Sequence, residues 1–482
     1  MNLLLPLPGI GSEWLWLELA WVLGMSTWII LERRPALATV AWVLGLAFLP
    51  IVGIPIYLFL GPRRLKRRQL RRKLARTAIA RSRPAARPVL EASEASLRAE
   101  LGEVGAAVAS VAIACRQGPP LPARALQLYS RGSAAYDAII AAIGAAAHHV
   151  HLEYYILERG TVADALREAL VAARARGIEV RLLLDGLGTA LIGGWLRPLR
   201  DAGVEIARFN PRTRPAILNF RTHRKIVVVD GTLAFTGGMN VADDHDERVV
   251  GDARAWRDTM VRVEGDAALP LQLAFLEDWH YATKQYVEGA CYLPGLTGKG
   301  DVPVQVLVSG PDTPEEPIRS TYLTAIGVAR ERVWITTPYF VPDEALETAL
   351  RTAAMRGIDV RVLVPCDSDH KFMDMAAGSY FPELLEVGVK VYRYGPPALH
   401  AKTMVVDDHV AIVGSANFDN RSFRLNFEIS AVVYDARATA DLAALFEGDL
   451  TKSRRVTHDQ IERKSIPRRL AEGIARLASP VL

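Results

Sequence analysis

The sequence predicts an α/β body built from two copies of one unit, preceded by a pair of apolar helices. Three observations predict this. An alternating apolar run, a helix-period run and a second apolar run occur in that order twice. A His-x-Lys motif follows each copy, with the two histidines 400 − 223 = 177 residues apart. Residues 36–61 contain no charged side chain.

The chain has 482 residues, half of them hydrophobic, and a mean hydropathy of +0.13. That balance is high for a soluble enzyme and points to a membrane part. The length allows about two to four domains. Cys115, Cys291 and Cys366 lie far apart with no C-x-x-C spacing. This argues against a disulfide framework or a thiolate metal site and fits free thiols in a reducing compartment.

The N-terminal segments come first in the chain. Residues 36–61, ALATVAWVLGLAFLPIVGIPIYLFLG, are long enough to cross a hydrocarbon core of roughly 30 Å as a helix. Residues 14–31 form a second apolar stretch, interrupted by Glu18 and carrying Trp14, Trp16, Trp21 and Trp28. Tryptophans favour the headgroup level. Only Glu32-Arg33-Arg34-Pro35 separates the stretches, which predicts a transmembrane helical hairpin. A cleaved signal peptide fits poorly, because a basic n-region is missing and the apolar stretch is doubled. Pro50 and Pro55 leave a re-entrant hairpin as the competing arrangement. Arg63, Arg64, Lys66, Arg67, Arg68, Arg71, Arg72, Lys73 and Arg76 follow directly. Positive-inside bias places that end in the cytoplasm, and the same run attracts anionic lipid.

The body begins near Leu121, after an Ala-, Pro- and Arg-rich connector with some helix around 90–115. Residues 148–185 and 331–364 each read as strand, helix, Arg-Gly-Ile and strand, a βαβ pattern. Gly177 and Gly357 fit the left-handed residue that ends a helix. The chemistry then repeats. His223-x-Lys225-x-x-x-x-Asp230 is followed by Gly237-Gly238-Met239-Asn240, and His400-x-Lys402-x-x-x-x-Asp407 by Gly414-Ser415-Ala416-Asn417. Period two puts each His and Lys on one strand face. Small residues in the following turn let backbone approach a ligand. One such motif is a modest signal. Two at equal spacing in equal context are a strong one.

These motifs resemble those of the phospholipase D superfamily, from about residue 121 to the end. The stretches THRKIVVVDGTLAFTGGMN, FLEDW, SGPD, TTPYFVPDEAL, HAKTMVVDD and GSANFDNRSFRLNFE are similar to cardiolipin synthases. That family often has Asn before the first histidine, where this chain has Thr222.

The resemblance implies two pseudo-symmetric phospholipase D-like α/β repeats with mixed sheets, meeting at one active site. Expected boundaries are 1–61 for the hairpin, 62–120 for a basic connector, 121–295 for the first repeat and 296–482 for the second. The second is expected to end in an amphipathic helix, either at the membrane interface or packed on the body. The implied activity is condensation of two phosphatidylglycerols to cardiolipin and glycerol.

Phosphodiester exchange needs a nucleophile, an acid for the leaving alkoxide and charge on the phosphoryl oxygens. His223 is the expected nucleophile and His400 the expected acid and base, while the symmetry leaves the reverse open. Lys225 and Lys402 would hold phosphoryl oxygens, with Asn240 and Asn417 adding neutral donors. Glu428 and, by the resemblance, Asp258 would orient the histidines. Asp230 and Asp407 belong to the catalytic motif but are expected to support its loop. No cofactor or metal is expected. His148, His149 and His151 read as surface residues.

Expected partners are phosphatidylglycerol and anionic membrane lipids, with no nucleic acid and with a homo-oligomer left open. The expected location is the bacterial inner membrane, multi-pass, with the body facing the cytoplasm. Another phosphatidyltransferase or a hydrolase (phosphatidylserine synthase, phospholipase D) would use the same site with a different acceptor. A non-catalytic lipid-binding scaffold is the rival from another class, disfavoured by intact histidines, lysines and asparagines in both motifs.

Overall fold

The computed structural model describes residues 12–31, 36–48, 57, 93–213, 217, 219–480 and 482. The chain divides into two compact units, 1–63 and 64–482.

In the first unit, helices span Ser12–Leu31 and Ala36–Phe48. Ile29, Leu46 and Tyr57 form a small buried cluster, with Trp42 edge-on to Tyr57 at 5.1 Å. Trp16, Trp28, Leu31 and Val40 point outward. The two helices stand where the apolar segments predict them, while residues 49–56 and 58–61 of the expected second span lie outside the described residues. The second helix is described over 13 residues, or about 20 Å at 1.5 Å per residue. The first is interrupted by Glu13 and Glu18. Among the described residues, no helix is long and apolar enough to cross a membrane. The Arg33–Arg34 turn and the basic run at 63–76 lie outside the described residues.

In the second unit, the repeat seen in the sequence becomes one 15-stranded mixed sheet. The first half supplies β1 (Leu121–Tyr129), β2 (His149–Tyr154), β3 (Glu179–Asp185), β4 (Glu205–Phe209), β5 (Ile226–Val229), β6 (Leu233–Gly237) and β7 (Met260–Gly265). The second supplies β8 (Val302–Ser309), β9 (Arg332–Thr336), β11 (Asp359–Pro365), β12 (Lys390–Tyr394), β13 (Thr403–Val406), β14 (Val410–Gly414), β16 (Glu428–Val433) and the edge strand β17 (Ser453–Arg455). A separate two-stranded sheet pairs β10 (Phe340–Val341) with β15 (Phe418–Asp419). The order outward from the centre is β1-β7-β6-β5-β2-β3-β4 on one side and β8-β16-β14-β13-β9-β11-β12 on the other. The halves join where β1 pairs antiparallel with β8.

Each βαβ unit forms as its pattern predicts. Helix Thr161–Ala175 buries Val162, Leu166, Leu170 and Ala173, and helix Glu344–Met355 buries Leu346, Leu350 and Ala353. Gly177 and Gly357 both sit at φ +86° with open space around the missing side chain. The backbone conformation alone calls for glycine there.

The strand carrying His149 and His151 is not at the surface. Both residues are fully buried, because β2 is covered by helix Leu269–Thr283. His151 stacks on Phe275 at 4.4 Å and its Nδ1 meets Gln272 Oε1 at 3.1 Å. Burial holds His149 down at about 4. A strand in the parallel part of an α/β sheet is covered on both faces, which the surface reading overlooked.

Candidate active site

Each motif histidine precedes a four-residue strand. β5 runs antiparallel to β2, with Ile226 opposite Glu153, and β13 runs antiparallel to β9, with Thr403 opposite Thr336. His223 and His400 therefore stand beyond the carboxyl ends of the parallel strands β2-β3-β4 and β9-β11-β12. Open α/β sheets bind ligands at that end.

The two halves exchange backbone hydrogen bonds here. His223 N–H donates to the Phe427 carbonyl (2.9 Å) and Phe427 N–H to the Arg221 carbonyl (2.8 Å). His400 N–H donates to the Arg257 carbonyl (2.8 Å) and Arg257 N–H to the Ala398 carbonyl (2.8 Å). Phe427 and Arg257 immediately precede Glu428 and Asp258, so each half brings its carboxylate to the other half's histidine. His223 Nδ1 lies 3.0 Å from Glu428 Oε1 and 3.1 Å from Oε2. His400 Nδ1 lies 2.6 Å from Asp258 Oδ2. The expected acidic residues are the partners, crossed between the repeats.

The loops after β6 and β14 fit these carboxylates. A side chain on Gly238 would run into the Asp258 carboxylate. Ser415, at the matching place in the second half, instead donates its hydroxyl to Glu428. The serine in Gly-Ser-x-Asn thus fixes the longer carboxylate. Thr222 replaces the family's asparagine by donating its hydroxyl to Glu153, while its N–H meets Asp185 Oδ2 at 3.1 Å.

The charges are arranged unequally. Lys225 and Lys402 are 0% and 1% exposed, and each histidine is 8% exposed. Burial, then the charge of Lys402, pushes Lys225 down to about 7. Burial pushes Lys402 down to about 8 against the pull of Asp258 and Glu428. Burial lowers His223, partly offset by Glu428. His400 is lowered well below its usual value by burial, Lys402, Lys225 and His223. Burial alone would raise Glu428, but His223, Lys225 and Ser415 together hold it below the usual carboxylate range. Asp258 goes the other way, raised by burial against Lys402 and His245. The lysine bonds differ too. Lys225 Nζ donates to the His223 carbonyl (2.8 Å), whereas Lys402 Nζ approaches both the His400 carbonyl and its Nδ1, the latter at 2.8 Å.

Asn240 and Asn417 are buried beside this site, 3% and 5% exposed. Asn240 Oδ1 accepts from Ile156 N–H (3.3 Å), which turns the amide nitrogen to the other side. Asp230 and Asp407 lie elsewhere. Each takes a left-handed backbone conformation and accepts consecutive backbone N–H groups, of residues 147–149 and 330–332. They close the far ends of β5 and β13, roughly 17 Å along the strand from each lysine. They count among the motif residues, and here their carboxylates hold backbone at a distance from the lysines.

Several neighbours escaped the sequence reading. The Tyr155 ring meets His223 edge-on at 4.9 Å, and Trp256 lies 5.3 Å from His400. His245 is buried 5.6 Å from the His400 ring and accepts the Asn240 N–H at 3.4 Å. Ser422 accepts the Asn417 N–H in the same way (3.2 Å), and 245 + 177 = 422. Applying the motif offset to residues past the asparagines would have exposed this substitution of Ser by His.

His245, Asp258 and His400 place ligand-type atoms within 4.8 Å of one another, a grouping that can hold a metal. Lys402 Nζ lies 2.8 Å from His400 Nδ1, so one of these ligand atoms already has a lysine for a partner. The donor set fits an anion between two lysines better than a divalent ion.

The family described as cardiolipin synthase, PLD-like domain, matches residues 139–248 and 322–450. Cardiolipin synthase 1 of Bacillus anthracis is 37% identical over 478 residues, 96% of this chain and 92% of that protein. The chain belongs to the cardiolipin synthase family. A family member from Alkalihalophilus pseudofirmus, named cardiolipin synthase, is likewise 37% identical over 94% of this chain and 91% of its own. Residues 19–62 match a family described as phospholipase D-nuclease N-terminal. Among solved structures, phosphatidylserine synthase of Haemophilus influenzae aligns with a TM-score of 0.61 over 78% of this chain and all of its own. At 14% identity, that likeness is one of fold.

Proposed function

We propose that the crossed site transfers a phosphatidyl group between two phosphatidylglycerols, with His223 as nucleophile. The observation that carries this is the surroundings of His223 Nδ1. Glu428 and the Ser415 carbonyl both accept hydrogen bonds there, at 3.0–3.1 Å. The proton therefore sits on Nδ1, and the Nε2 lone pair is available for attack. His400 Nδ1 faces both a carboxylate and an ammonium, so its tautomer is not fixed in the same way. Glu428 lies below and Asp258 above the ordinary carboxylate range, a contrast that favours the base on the His223 side and the acid on the His400 side.

In the first step, His223 Nε2 forms a bond to phosphorus, and the bond from phosphorus to the glycerol oxygen breaks. His400 gives that oxygen its proton. The entering phosphodiester anion offsets the lysine charges that lower His400 in the free site, which readies it as the acid. In the second step, the glycerol hydroxyl of another phosphatidylglycerol attacks phosphorus, His400 takes its proton, and the P–N bond breaks. Lys225, Lys402 and the amides of Asn240 and Asn417 hold the non-bridging oxygens.

The apolar helices of residues 1–61 serve as the attachment to the bacterial inner membrane, with 62–120 as connector, whose helix Glu94–Ala114 is packed into the core of the body, and the repeats at 121–295 and 296–482 in the cytoplasm. The outward apolar side chains of those helices support this reading. Purified protein in phosphatidylglycerol vesicles, followed by mass spectrometry, tests the activity. Cardiolipin and glycerol in equal amounts are expected. Phosphatidic acid as main product makes the protein a hydrolase, and no turnover supports a scaffold.

A further inference from the structure

The C-terminal helix Ile466–Leu477 is built the wrong way round for a helix packed on a soluble body. Ile466, Leu470, Ile474 and Leu477 are 80%, 63%, 55% and 80% exposed. At 3.6 residues per turn these four fall within an arc of about 80°. The side facing the body carries Ala475 and the charged Glu472, both buried. Glu472 is held by Lys464 at 2.7 Å and Arg468 at 3.3 Å. A surface helix ordinarily buries its apolar stripe and exposes its charges.

The helix is tied to the rim of the site. It packs on helix Lys371–Gly378, which leaves the carboxyl end of β11. Asn420 Nδ2 donates to the Ser479 carbonyl (3.0 Å), and Arg421 N–H to the Leu482 carbonyl (2.7 Å), three and four residues past Asn417. The Arg421 guanidinium bonds Asn219 Oδ1 at 3.0 Å, in the approach to His223. Further large apolar side chains are exposed at this end of the sheet. Phe372 stands on the neighbouring helix, and Leu187 and Leu191 lie in the loop after β3, where the first half leaves its own strand ends.

Charge names the occupant. Residues 452–477 carry eight Lys and Arg against three Asp and Glu, a net +5 that equals the formal charge of the whole chain. Arg469 lies beside the stripe, exposed, and Arg463 precedes the helix, also exposed. An outward apolar arc edged by basic residues fits the interface of an anionic bilayer.

We infer that helix Ile466–Leu477 is a membrane-docking element that lies in the plane of an anionic bilayer and seats the rim of the active site on it. This rests on the lipid-substrate reading of that site. It is separate from the N-terminal attachment, which would tether the body without orienting it. With the rim seated, a phosphatidylglycerol headgroup meets the histidines while its acyl chains stay in the bilayer.

Two measurements on the full chain test it. A benzophenone-bearing residue placed at position 470 is irradiated in phosphatidylglycerol vesicles. A lipid adduct is expected, at least fivefold more abundant than in phosphatidylcholine vesicles. An adduct to a second copy of the chain, to residues 1–63, or to no lipid overturns the proposal. Separately, the double variant Leu470→Glu with Ile474→Glu should lose at least tenfold of its transfer on phosphatidylglycerol vesicles. It should stay within twofold of wild type on short-chain phosphatidylglycerol in detergent. An equal loss on both substrates, or no loss on either, overturns docking. Lipid adducts from a wild-type protein that makes no cardiolipin would leave docking standing and sink the synthase reading instead.

Discussion

Replacing Glu428 by Gln separates the two histidines most sharply. The carboxylate is fully buried and lies 3.0 Å from His223 Nδ1, and Ser415 Oγ and Asn426 Nδ2 donate to it as well. Gln keeps the shape but removes the charge and turns one acceptor into a donor. A hydrogen bond to a charged group contributes about 1.5–3 kcal/mol, which is roughly ten- to two-hundredfold in rate. The loss adds to that at Lys225, which Glu428 helps to keep protonated.

Asp258→Asn disturbs His400 by a comparable amount, so the size of the effect does not tell the two apart. The leaving group does. Glycerol leaves only with a proton from His400, whereas p-nitrophenolate needs none. The first half-reaction is therefore followed alone, as single-turnover release of glycerol from phosphatidylglycerol and of p-nitrophenolate from a p-nitrophenyl ester of phosphatidic acid. The Asp258→Asn defect should shrink to within a few-fold on the activated ester, and the Glu428→Gln defect should persist on both. Rescue of Glu428→Gln by the good leaving group, with none for Asp258→Asn, would make His400 the nucleophile and refute the assignment.

Three further outcomes are expected. Lys225 at about 7 is mostly neutral at pH 8, and Lys402 at about 8 is half charged. A phosphodiester anion favours their protonated forms, so binding of dihexanoyl phosphatidylglycerol to a His223→Ala variant should take up protons at pH 8. Calorimetry in buffers of different ionisation enthalpy reads this, and proton release would contradict it. Activity should survive EDTA, because lysines and amides hold the phosphate; complete loss restored by one specific cation would assign a metal to His245, Asp258 and His400. Protease added outside intact spheroplasts should leave the body beyond residue 62 uncut, and its digestion from that side would reverse the proposed orientation.

Much of this site could be read in the sequence because the chain writes it twice. The 177-residue offset relates His223 to His400, Asn240 to Asn417 and Asp230 to Asp407 without any structure. What escaped was what depends on contacts between the copies. Nothing in local spacing says that Glu428 serves His223; the bridges from Thr222 to Phe427 and from Arg257 to Leu399 decide it. His149 and His151 looked like strand-edge polar residues, yet helix Leu269–Thr283, more than a hundred residues later, covers them. The N-terminal segments were legible as apolar helices, which stand at Ser12–Leu31 and Ala36–Phe48 among the described residues. The C-terminal amphipathic pattern was equally plain, but its periodicity carries no direction. Only the buried Glu472 shows which face turns inward.

The central claim is that the two repeats cooperate through a covalent adduct on His223. It is tested most directly by mixing the full-length protein with phosphatidylglycerol, quenching within one turnover under conditions that preserve phosphoramidates, and mapping the digested peptides by mass spectrometry. The account predicts a phosphatidyl group on the peptide containing His223, absent from His223→Ala and increased in His400→Ala when the activated ester is the donor. An adduct on His400, or steady turnover with no adduct on either histidine, would contradict it.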